Sequence, residues 1–205
     1  MNKKLLWIVG GVVGLALIVG LAWAIANEPA RDPNAGYGDP TVEGENLPMV
    51  ENPNAGDPAV GMTAPTVTGT DWNGNEITIG PDGRPKIVVF LAHWCPHCQA
   101  EVPRIIDWLE DGGLPEGVDL YAATIFTNAS RPNFPPQDWL EREGWDVPTV
   151  MDSAENEIVQ GFGVLSTPTY IVLDGENKNL GRAAGEIGVS GLNALAAIAE
   201  SSIEG

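Results

Sequence analysis

Cys95 and Cys98 are the only cysteines in 205 residues, and they sit at the junction of two unlike segments. Before them, Ile87-Val88-Val89-Phe90-Leu91 is a β-branched apolar run of the kind that forms a buried strand. After them, Val102, Ile105, Ile106 and Leu109 recur at helical spacing from Cys98 until Gly112-Gly113 ends the pattern. A disulfide that closes so short a loop removes little entropy from the unfolded chain. The pair therefore reads as a reversible dithiol and not as a staple. At a helix start the orphan backbone N–H groups and the dipole favour a thiolate on the first cysteine, lowering its pKa from about 8.5. Zinc binding with His93 and His97 is the competing reading, but four ligands within six residues close a tetrahedron poorly. The reading requires no metal and no cofactor.

The first residues bear on where such chemistry would run. Met1-Asn2-Lys3-Lys4 precedes Leu5 to Ala26, 22 residues without a charge. As a helix this stretch would be about 33 Å long, enough for a hydrocarbon core of about 30 Å. Trp7 and Trp23 lie near its ends, where amphipathic rings favour the headgroup region. The expectation is a transmembrane anchor over residues 5–26, with residues 1–4 cytoplasmic and the remainder outside. A cleaved signal peptide ending at Ala24-Ile25-Ala26 is the alternative, although the apolar core exceeds the usual length of about 7–15 residues. Gly10 and Gly14 match a helix-dimer spacing, a weak signal in so glycine-rich a span. Either reading exports the rest of the chain to a compartment that permits disulfide chemistry.

Residues 27–60 hold six prolines and few aliphatic side chains, and Asp32-Pro-Asn-Ala-Gly36 nearly recurs at Asn52-Pro-Asn-Ala-Gly56. Such composition predicts a disordered linker spanning about 30 Å root-mean-square. Residues 61–205 are then a single domain with one core. Of the chain's net charge of −18, this part carries −14, from 21 acids and seven bases. That balance argues against nucleic acid and anionic lipid as partners.

Periodicity and turn residues give the order of elements. Thr66 to Gly69 and Glu76 to Ile79 flank Asn73-Gly74 as a hairpin. Buried strands are expected at Lys86 to Leu91 and Val118 to Phe126, a short helix at Gln137 to Glu143, and a strand at Thr149 to Met151. Tyr170 to Asp174 turns through Gly175-Glu176-Asn177 into Lys178 to Ala183, and Ser190 is the expected N-cap of a last helix. Strands alternating with helices indicate an α/β layer fold.

These residues resemble the thioredoxin superfamily, and within it the TlpA-like membrane-anchored thiol–disulfide oxidoreductases. Trp94-Cys95-x-x-Cys98 follows a buried strand, and Pro103 falls where the family kinks its active-site helix. Phe162-Gly163-Val164-x-x-x-Pro168-Thr169 is similar to the segment that presents the family's cis-proline. Cys98-Gln-Ala-Glu101-x-Pro103 is similar to the variant with an acid in that helix. The resemblance covers about residues 61–200 and implies a thioredoxin-like fold with an N-terminal β-hairpin extension, preceded by one transmembrane helix. Two departures stand out. The buried acid of minimal thioredoxins falls on Val89, and the dipeptide is Pro96-His97, as in the oxidase of the bacterial periplasm.

The resemblance also assigns roles. Cys95 is the attacking thiolate and Cys98 the resolving thiol. His97 is expected to stabilise the Cys95 thiolate, and Glu101, on the same helical side as Cys98, to relay its proton. Pro96 and His97 tune the dithiol, while Thr167 and a cis Pro168 present backbone to an extended substrate. Trp94 packs beside the sulfur. Trp72, Trp108, Trp139 and Trp145 read as core or surface aromatics. The implied function is extracytoplasmic disulfide exchange with protein thiols or disulfides, with a membrane electron-transfer partner. The body favours a reductase of the cytochrome c maturation type, and the dipeptide favours a disulfide-donating oxidase. A thiol peroxidase would need a Thr-x-x-Cys setting, and a copper chaperone a wider cysteine spacing with a distant histidine.

Overall fold

The computed structural model describes residues 32–50 and 56–203. The anchor expected over 5–26 lies outside them, and among the described residues no helix is long and apolar enough to cross a membrane. Among the described residues there are eight strands and four helices; the strands are β1 (Thr41–Glu43), β2 (Thr66–Thr70), β3 (Glu76–Ile79), β4 (Lys86–Leu91), β5 (Asp119–Thr124), β6 (Thr149–Met151), β7 (Thr169–Leu173) and β8 (Asn179–Ala184). The helices are α1 (Pro96–Glu110), α2 (Pro136–Glu143), α3 (Glu157–Phe162) and α4 (Gly188–Ser201). The strands form a three-stranded sheet, β1-β2-β3, and a five-stranded sheet ordered β6-β5-β4-β7-β8.

In the larger sheet β4 runs parallel to β5 and antiparallel to β7, and all six of its residues are buried. Alternation along the strands divides the core. Ile87, Val89, Leu91, Tyr170 and Val172 face one side with Val102, Ile105, Leu192 and Leu195 of α1 and α4. Val88, Phe90, Ile171 and Leu173 face the other, under Val67, Ile79, Ile158 and Phe162. Trp108, Trp139 and Trp145 are buried in the first layer, and Trp72 packs against it half-buried.

Strand β4 ends next to the start of α1, which is why the dithiol lies just past the C-terminal end of the sheet's central strand. Cys95 is the N-cap, with extended backbone, and Pro96 takes the first helical position, where its missing N–H costs nothing. The helix buries Cys98, Glu101, Val102, Ile105 and Trp108 as one stripe, while Pro103 lies inside it on the exposed face. At its end the Gly113 N–H donates to Trp108 O at 2.8 Å, and a Cβ on Gly113 would fall 2.0 Å from the Trp108 indole nitrogen.

Two expectations are corrected. The segment read as a disordered linker contains β1, which pairs with β2 through Val42 and Val67, so the hairpin is a three-stranded sheet. Leu47 and Ala59 from the same segment are buried in the second core layer, and the Leu47 N–H donates to Gly161 O at 2.8 Å. A few well-placed apolar side chains order a stretch whose average composition is that of a tether. The last helix starts at Gly188, not after Ser190. Its first amides are capped from elsewhere in the fold, so no local cap residue marks its start. Helix α3, with the left-handed Gly163 (φ +61°) after it, leads into the proline loop from a stretch for which the sequence reading named no element.

Candidate active site

Cys95 and Cys98 are both free thiols and both buried, but their surroundings differ. The Cys95 thiol donates to the Thr167 carbonyl at 3.3 Å. Burial pushes its pKa up, yet hydrogen bonds from the Thr167 side chain, from the Cys98 amide and thiol, and from the His97 amide outweigh burial and leave it below the ordinary thiol value. Cys98 is wholly enclosed, and burial pushes it up to about 12, helped by the negative charge of Cys95 and opposed by a backbone hydrogen bond from Ala92. One sulfur is primed and the other is held protonated.

The Thr167–Pro168 peptide is cis, with Pro168 buried and Thr167 half-buried beside Cys95. The Gly185 N–H donates to the Pro168 carbonyl at 2.8 Å, joining this loop to the turn before α4.

Glu101 is completely buried, and four donors converge on its carboxylate. Oε1 accepts the amides of Ile187 (3.0 Å) and Gly188 (2.8 Å) and the Tyr170 hydroxyl (3.2 Å), and Oε2 accepts Arg104 Nη1 (2.9 Å). It is the missing cap of α4. Cys98 is not among its hydrogen-bond partners, so the relay expected from helical spacing has no direct bond to run through. Val89, where minimal thioredoxins carry an acid, is buried apolar core opposite Tyr170 in the sheet register.

His97 also departs from its expected role. The imidazole is mostly exposed and its Nδ1 meets Glu186 Oε1 at 2.6 Å, while the backbone amide of His97 bonds Cys95. Glu186 in turn accepts Arg104 Nη1 at 2.8 Å. The sequence held no local sign of this, since Glu186 is 89 residues from His97.

His93 is fully buried. Its Nδ1 faces the Pro132 carbonyl at 2.7 Å and its Nε2 accepts the Asn128 amide at 3.1 Å, which fixes the neutral tautomer with the proton on Nδ1. Desolvation lowers its pKa against the smaller, raising effect of the Pro132 carbonyl. Trp94 donates Nε1–H to Phe126 O at 2.8 Å and carries the Arg131 guanidinium 5.2 Å above its ring. Both residues tie the 126–134 loop to the approach of the dithiol. The two histidines bond different partners, and among the described residues no three His, Cys, Asp or Glu side chains are grouped as a metal set.

The arrangement matches known proteins. A profile of the Redoxin family matches residues 59–194. The thiol–disulfide oxidoreductase ResA of Halalkalibacterium halodurans is 26% identical over 120 residues, covering 58% of this chain and 62% of that relative, so the chain spans about three fifths of its length. Among solved structures, StoA of Bacillus subtilis superposes with a TM-score of 0.53 at 20% identity, over 67% of this chain and 98% of that one. A thioredoxin-family thiol:disulfide interchange protein of Chlorobium tepidum TLS gives 0.54 at 22% identity, over 67% and 94%. These two share the thioredoxin-like fold. The chain belongs to the Redoxin family and carries within the matched region a closely spaced pair of free cysteines.

Proposed function

We propose that the protein is an exported, membrane-tethered reductant of protein disulfides, of the kind that serves cytochrome c maturation. The observation that carries the direction is the His97 imidazole. A cation beside Cys95 would stabilise the reduced form and make the disulfide oxidising, but this imidazole is bound to a carboxylate instead.

The Cys95 thiolate attacks one sulfur of a client disulfide. The client S–S bond breaks, its second sulfur leaves as a thiolate, and a mixed disulfide forms. Cys95 then no longer carries the charge that helped to keep Cys98 protonated. Cys98 gives its proton to the departing thiolate or to water and attacks Cys95, releasing the client as a dithiol. Two electrons have passed to the client, and a dithiol donor must restore the pair. Leu165, exposed beside a cavity of about 290 Å³ lined by Val164, Ser166, Thr169 and Arg182, offers an apolar rim for the client chain.

The test is the reduction potential of the full chain against glutathione mixtures, read by alkylation. A value near about −270 mV, like thioredoxin's, supports the reductant. A value near about −120 mV, where strong oxidants lie, replaces it with a disulfide donor. Cys98→Ser should accumulate mixed disulfides with reduced clients absent and oxidised clients present.

A further inference from the structure

Glu186 touches neither sulfur, yet its position is fixed from both sides. The residue before it, Gly185, donates its amide to Pro168 O at 2.8 Å, and the residue after it, Ile187, donates to the buried Glu101 at 3.0 Å. Its own carboxylate bridges His97 Nδ1 (2.6 Å) and Arg104 Nη1 (2.8 Å), and the same Arg104 nitrogen meets Glu101 at 2.9 Å. Exposed ion pairs usually hold their partners loosely and contribute little. Here the backbone on either side places the carboxylate, so the imidazole is the group that must come to it. Seen from Cys95, an imidazolium paired with a carboxylate has its charge largely cancelled.

We propose that Glu186 is a positioning residue that holds the His97 imidazole away from Cys95 and offsets its charge, keeping a Pro-His dithiol more reducing than the dipeptide alone would make it. The inference rests on exchange through Cys95 and Cys98, and not on the direction of electron flow. Glu101 and Arg104 complete the ionic chain and fix its far end. Without Glu186, the His97 imidazole is free to turn toward the sulfur that its own amide already meets.

The experiment is a double-mutant cycle on the full chain: wild type, Glu186→Gln, His97→Ala and the pair together, each equilibrated with glutathione mixtures. Glu186→Gln should shift the equilibrium toward the reduced dithiol by about tenfold, which is about 30 mV more oxidising, with faster alkylation of Cys95 at neutral pH. In the His97→Ala background the same substitution should change the equilibrium less than about twofold. An active wild type with no shift in Glu186→Gln overturns the proposal, as does a shift that persists without His97, which would assign the effect to Arg104 or the α4 cap. A wild type inert toward glutathione would instead sink the exchange reading itself. A merely structural Glu186 would move melting temperature and leave the potential in place.

Discussion

The dithiol lies between two loops that are held in different ways. On one side, residues 126–134 are stitched to the start of α1 by hydrogen bonds between neutral groups, with His93 spanning Pro132 and Asn128 and Trp94 bonded to Phe126, and by the Arg131 guanidinium over the Trp94 ring. On the other, residues 185–188 are held by a buried carboxylate, Glu101, with an outer ionic layer of Arg104, Glu186 and His97. Both loops depend on one buried polar side chain that bonds loop backbone. Only the second bonds a charged side chain to the Pro-His dipeptide itself. The first side is therefore built for shape and the second for tuning.

Removing each buried tie is the strongest way to break this comparison. Glu101→Ala strips the α4 amides and the buried Tyr170 hydroxyl of their acceptor, and should cost about 3 kcal/mol of unfolding free energy in denaturant titration. That is a large share of a typical total of about 5–15 kcal/mol. A loss no greater than that of an exposed substitution would show that the second loop does not depend on it. His93→Ala should cost about 2 kcal/mol, with hydrogen-exchange protection lost at Asn128 and little change in Cys95 reactivity. A large change in that reactivity would erase the division between shape and tuning.

The pH dependence sharpens the same division. The folded pKa of His93 is depressed below its unfolded value of about 6.5. Its contribution is thus complete above that pH and is lost as pH falls and the unfolded chain takes up the proton. Asp152 works in the opposite sense, since burial raises its carboxyl to about 6 against the backbone bonds from Ile158, Val159 and Ser153. Its stabilising effect is present below about pH 4 and is lost as pH rises through 6. The difference between wild type and His93→Gln isolates the first effect, and the variant should lose less stability between pH 7 and 5. Alkylation kinetics separate the sulfurs: between pH 6 and 9 only Cys95 should react, because Cys98 titrates near 12. The smallest effect is expected from His97→Ala, under about 0.5 kcal/mol of stability for an exposed ionic partner.

Much of this was legible in the chain itself. The run from Ile87 to Leu91 announced a doubly buried strand, and the α1 stripe through Val102 and Ile105 followed from helical period alone. Cys95 and Cys98 stood out because their signal is local, whereas the loop at Thr167-Pro168 was read from the family resemblance. What escaped reading depends on meetings across the fold. Glu101 lies near Cys98 along the helix, but its partners come from β7 and the turn before α4, and they redirect it from proton relay to helix cap. His93 and Tyr170 carry no pattern that sets them apart from ordinary core residues. Leu47 and Ala59 were hidden because an average over a proline-rich stretch conceals two side chains with places in the core.

The enclosure of Cys98 has a consequence for the clients. Its silence comes partly from the fixed wall around it and partly from the charge of its neighbour, and a client removes only the second by bonding to Cys95. On the exchange proposed above, capture at Cys95 removes one of the influences that hold Cys98 protonated. Release would then depend on this chain's interior through Cys98 and on the client through the acidity of its leaving thiol.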